Sequence, residues 1–129
     1  MVKEVGLDIY AEYFTTHIPI VALVFDNRCL GSSDGTPRFE IVASLQMSDI
    51  QDAITYAQTL DEVDPDKIAI WGASYAGGNV LQVAAVDRRA KAVIAVVPLI
   101  SGMELFSKFV PPHMQFDLMK LFQAGFLPF

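Results

Sequence analysis

Residues 68–79 read Ile68-Ala69-Ile70-Trp71-Gly72-Ala73-Ser74-Tyr75-Ala76-Gly77-Gly78-Asn79, an apolar strand pattern that runs without a loop into a helix of small residues, with a serine at the junction. A strand that turns directly into a helix forces the junction residue into an unfavourable backbone conformation, and its neighbours two positions away must be small because the two elements crowd there. Gly72 and Ala76 meet that demand, and Gly77 adds a further small residue. Such a turn pushes the serine Oγ clear of the sheet, while the first N–H groups of the helix point back toward it. The pattern is that of a nucleophile elbow, with Ser74 as the candidate nucleophile and the backbone N–H of Tyr75 as a candidate oxyanion donor.

These glycines admit three other readings. The spacing of Gly72 and Gly77 fits a phosphate-binding loop, but Gly78-Asn79 stands where the lysine and hydroxyl residue would be needed. A dinucleotide fingerprint needs a glycine at the position of Ser74. An ordinary strand-to-helix turn with small residues for packing is the remaining alternative.

The rest of the chain supplies the context. Residues 6–14 carry Leu7, Tyr10, Ala11 and Phe14 at helical spacing, and residues 18–25 form a continuous β-branched apolar run that predicts a buried parallel strand. Residues 26–37 have turn chemistry. Ser48 and Gln51 have the form of a capping box, followed by an apolar stripe of Ile50, Ala53, Ile54, Ala57 and Leu60. An acidic loop with Pro65 precedes a second predicted strand over 67–71 and a helix over 74–86, whose end carries Arg88 and Arg89 in place to complement the helix dipole. A third strand is predicted over 90–97 and ends at Pro98. This alternation predicts an α/β fold, three layers α/β/α with a parallel sheet, over residues 1–98. Residues 99–129 break the rhythm: Phe106, Phe109, Phe116, Phe122, Phe126 and Phe129 fall there, with Met114, Leu118 and Leu121 on one helix face, as in an apolar lid or tail.

Composition narrows the function. Apolar residues make up 53% of the 129, which excludes disorder, and a formal charge of −6 opposes phosphate backbones and anionic membrane surfaces, so neither nucleic acid nor membrane is an expected partner. Cys29 is the single cysteine, which forbids an intrachain disulfide and points to an intracellular setting. Lys3, Glu4, Asp8 and Glu12 interrupt the start where a signal peptide would be apolar, and the apolar runs at 18–25 and 92–100 are about half the ~20 residues of a membrane span. No metal or cofactor motif is present in the sequence.

The elbow, the run Asp64-Pro65-Asp66-Lys67-Ile68 before it and Phe25-Asp26-Asn27-Arg28-Cys29-Leu30-Gly31-Ser32-Ser33-Asp34-Gly35 after the first predicted strand resemble the α/β-hydrolase fold family. The sequence is similar to its fungal dienelactone-hydrolase-like or polyketide-transferase-like subgroup, found in toxin gene clusters; Val2-Lys3-Glu4 and the stretch from Val86-Asp87-Arg88-Arg89 to Val97-Pro98 share in the likeness. Cys29 stands where that subgroup usually has glycine. The resemblance implies a serine acyl hydrolase or acyltransferase acting on a small acyl or polyketide substrate without a cofactor, in the cytoplasm or in peroxisomes, although Leu127-Pro128-Phe129 is no peroxisomal signal. It assigns Ser74 as nucleophile and Tyr75 as one oxyanion donor.

The same resemblance implies parts that this sequence does not supply. In the family the second oxyanion donor precedes the first helix here, and the acid and histidine of the triad follow later strands. His17 reads as a solvated turn residue and His113 belongs to the lid segment, so neither is expected to act as the base. A family strand also lies between the 18–25 and 67–71 strands, so its slot is expected to be empty and its edges open to self-association. The expectation is therefore a family member truncated at both ends, with two functional readings: acyl transfer through Ser74, or a catalytically incomplete remnant acting as an interaction module.

Overall fold

The computed structural model describes residues 6–124. The elements are α1 (Leu7–His17), α2 (Ala43–Ala57), β1 (Ile68–Ala73), α3 (Tyr75–Val86), β2 (Ala90–Val96), α4 (Gly102–Phe109) and α5 (Pro112–Gln123). Val2-Lys3-Glu4, Phe126 and the last three residues lie outside the described range.

β1 and β2 pair in parallel, Ile70 opposite Val93 and Gly72 opposite Ala95, and α3 is the crossover that a parallel pair requires. Alternation along β1 points Ile68 and Ile70 to one face, where they pack on Ile54 of α2 and on Val80 and Val83 of α3. This is the core, and it fixes β1 and α3 on either side of Ser74. Ile54 is 3% exposed, so Ile54→Val is expected to cost about 1 kcal/mol, read as a lower urea midpoint. A buried amide pair ties the two helices further: Asn79 Nδ2 donates to Gln46 Oε1 at 3.2 Å. On the other face, the Tyr10 ring of α1 meets Trp71 at 5.2 Å, but Ile94 and Val96 of β2 stand 51% and 42% exposed. The α/β class with a parallel sheet and helical layers holds, and two strands carry it where three were expected.

The missing strand is the 18–25 run. Ile18, Ile20, Val21 and Leu23 are exposed, and the run joins no ladder among the described residues. Pro19 offers no N–H, and Ile20 N–H turns back to Ile18 O at 2.8 Å, so the start of the run is folded locally. Apolar β-branched residues make a strand only beside another strand, and among the described residues β1 has no strand neighbour other than β2.

Two local expectations are also corrected. α2 begins at Ala43 after Val42, a turn before the supposed capping box, so Ser48 and Gln51 lie inside the helix. Arg89 does more than face the end of α3: it grips Asp87 with Nε at 2.9 Å and Nη2 at 2.6 Å, and reaches Thr55 Oγ1 of α2 at 2.7 Å. The segment over 99–124 forms the two helices α4 and α5, the first capped by Ser101, whose Oγ accepts from Glu104 N–H at 3.2 Å. Among the described residues no helix is long and apolar enough to cross a membrane.

Candidate active site

Ser74 occupies the turn between β1 and α3 as the N-cap of that helix, with φ 54 and ψ −118. A non-glycine residue there carries strain of about 1–3 kcal/mol and persists only where its surroundings over-determine it. The surroundings do so. Ser74 N–H donates to Val96 O at 2.9 Å, and its carbonyl accepts from Gly78 N–H at 3.2 Å and from Leu99 N–H at 2.9 Å. The serine is exposed and Tyr75, half-buried, opens α3, where the first N–H groups have no acceptor inside the helix.

The small residues are required by contact. A Cβ on Gly72 would lie 2.5 Å from Ala76 O, and one on Gly77 3.1 Å from Pro98 Cα. Ser74, Tyr75, Gly72, Ala76 and Gly77 are thus brought together at one turn. The sequence reading missed Gly78, where a Cβ would lie 2.2 Å from Leu99 O. The doubled glycine was its signal, since one small residue suffices for strand-to-helix crowding and the second admits another backbone.

No histidine joins this group. His17 Nδ1 lies 2.8 Å from Tyr13 O and its ring stacks on Tyr13, while His113 is exposed at the start of α5. Among the described residues no side chain is hydrogen-bonded to Ser74 Oγ.

The 26–35 loop is a separate scaffold. Asp26 is buried; its Oδ2 accepts from Ser32 N–H at 2.9 Å and its carbonyl from Ser33 Oγ at 2.6 Å. Arg28 ties the loop to α2 through Asp49, with Nε on Oδ1 at 2.6 Å and its own N–H on Oδ2 at 2.9 Å; that carboxylate raises the Arg28 pKa. Cys29 has φ 66, the left-handed region that favours glycine. A cleft of about 490 Å³ lies between this loop and α2, lined by Leu23, Phe25, Arg28, Asp49 and Tyr56 among others, and no elbow residue borders it. A second, of about 360 Å³, lies between α4 and α5 with Met103, Phe106, Phe116 and Met119 in its wall.

Comparison with known proteins gives the family. Residues 20–118 match the family described as X-Pro dipeptidyl-peptidase (S15 family). The polyketide transferase claH of Penicillium crustosum is 40% identical over 104 residues, 81% of this chain and 33% of that protein. A thiohydrolase of Eupenicillium brefeldianum is 45% identical over 103 residues, 80% of this chain and 33% of that protein. The crystal structure of the α/β hydrolase GrgF from Penicillium sp. sh18 superposes with a TM-score of 0.74 at 34% identity, covering 94% of this chain and 43% of that one. The strand, the turn and the crossover helix, with this superposition, place the chain in the α/β-hydrolase fold. The chain belongs, within that fold, to the S15 family. It spans about one third of the length of the curated relatives it matches.

Proposed function

We propose that Ser74 is the nucleophile of an acyl hydrolase or acyltransferase acting on small acyl esters or thioesters of the polyketide kind. The strained, exposed serine at the head of α3 carries this reading. Relatives named polyketide transferase and thiohydrolase support the substrate class. In the first step a bond forms between Ser74 Oγ and the acyl carbon, and the alcohol or thiol leaves with the serine proton; water or a second alcohol then takes the acyl group. Tyr75 N–H stabilises the tetrahedral oxyanion formed within each step. The apolar side chains of α4 and α5 are of a kind that suits a polyketide-like acyl chain, and the setting is the cytoplasm or peroxisome. A hydroxyl with no base beside it is a weak nucleophile, so the described residues by themselves support a slow reaction.

A fluorophosphonate probe is expected to label the folded chain, and Ser74→Ala to abolish the label. Labelling that survives the substitution, or none in folded wild-type protein, would overturn the assignment.

A second reading is favoured by the exposed faces of Ile94 and Val96 and by the unpaired 18–25 run. It has the chain act as an interaction module that associates with itself through strand edges. Sedimentation across a range of concentrations is expected to show mass increasing with concentration, and a monomer throughout would sink it.

A further inference from the structure

We propose that the turn over residues 97–99 is a positioning device for the oxyanion donor, in which Leu99 N–H, by holding the Ser74 carbonyl, fixes the direction of Tyr75 N–H. The inference rests on Ser74 being the nucleophile. The Ser74 C=O and the Tyr75 N–H belong to one planar trans peptide unit and point in opposite directions, so whatever orients the first orients the second.

Two donors converge on that carbonyl. Gly78 N–H, at 3.2 Å, comes from the first turn of α3, and Leu99 N–H, at 2.9 Å, comes from outside the helix. A helix first turn is the part that frays, and the outside donor holds the peptide plane when the turn loosens. Hydrogen bonds to a carbonyl also polarise its peptide, which makes the N–H on the far side a stronger donor.

The turn is built for this purpose. Ser74 N–H is bonded to Val96 O and Ser74 C=O to Leu99 N–H, so residues on either side of Val97 hold both backbone groups of the serine. Val97 itself has φ 41 while 78% exposed, a left-handed β-branched residue that gains nothing from burial. Its strain is offset by the bonds it makes possible. Gly78 completes the fit, since any Cβ there would displace Leu99 O. Leu99 touches no reacting atom and is a positioning residue.

The test replaces Leu99 by its α-hydroxy acid in the full chain, which turns the 98–99 amide into an ester and removes only the N–H. Fluorophosphonate inactivation is expected to slow about tenfold at saturation, less than the loss of a whole oxyanion donor, with the concentration for half-maximal rate unchanged. Leu99→Ala keeps the N–H and is expected to label within about threefold of wild type. Leu99→Pro is the second arm should the ester chain not fold: proline also lacks the N–H, so labelling is expected to slow while circular dichroism shows the fold kept. Wild-type rates in the ester chain, or in folded Leu99→Pro where the ester does not fold, would overturn the positioning role alone, as would an equal loss in Leu99→Ala. Absence of labelling in wild type would overturn the nucleophile and this role together.

Discussion

Gly72→Ala is expected to lower stability by about 3 kcal/mol or more and to remove Ser74 labelling at the same time. The added Cβ would lie 2.5 Å from Ala76 O and 2.6 Å from Ala76 C, backbone atoms of the first turn of α3 that have no rotamer to escape into. Either β1 or α3 must move. Both are packed on the same small core of Ile54, Ile68, Ile70, Val80 and Val83, so movement opens the core as well as the elbow. Against a typical total of about 5–15 kcal/mol, a loss of this size brings the chain near its unfolding threshold. Gly102→Ala is the control: nothing lies within 4 Å of its added Cβ, and alanine in the first turn of α4 is expected to be neutral or stabilising by up to about 1 kcal/mol. Urea unfolding of both variants, with probe labelling in parallel, separates the two sites. An unchanged midpoint in Gly72→Ala would show that the close approach is not a constraint.

The elbow was legible because its demands are local. A strand that meets a helix with a serine between glycines dictates both the crowding and the strained backbone, and Ser74, Gly72 and Gly77 stand where the sequence pattern puts them. The same pattern recognition failed at 18–25, because an apolar β-branched run records only what the residues prefer, while a strand exists only through the hydrogen bonds of a neighbour. Ser48 and Gln51 misled for a related reason: a capping pair inside an apolar helix stripe is indistinguishable from one at its start until the upstream turn at Ala43 is seen to be helical. The contacts that hold the site were hidden by sequence distance. Leu99 lies far along the chain from Ser74, as Gln46 does from Asn79, and no periodicity marks such pairs. Only the second glycine, Gly78, carried a trace of the approaching backbone.

Asp87→Ala is expected to cost about 2 kcal/mol near neutral pH, with a cost that shrinks on acidification. Asp87 caps the end of α3, is 8% exposed, and its carboxylate accepts from the Arg89 guanidinium at 2.9 Å and 2.6 Å and from Arg89 N–H at 3.1 Å. The Arg89 hydrogen bonds, working against burial, bring its pKa down to about 2. In the unfolded chain the carboxyl titrates near the ordinary value of about 3.9, so as pH falls the unfolded state takes up the proton first. The stabilisation is therefore complete above about pH 5, is reduced to about half by pH 3, and is lost as pH passes through the folded value. Alanine at this position has no such proton to bind, and it also frees Arg89, which by gripping Asp87 is held against Thr55 and the Gln51 carbonyl of α2 at 2.7 Å and 3.3 Å. Urea midpoints of wild type and Asp87→Ala are expected to converge between pH 6 and pH 3. A gap that stays constant over that range would show that the loss comes from packing at the end of α3 and not from the charged pair.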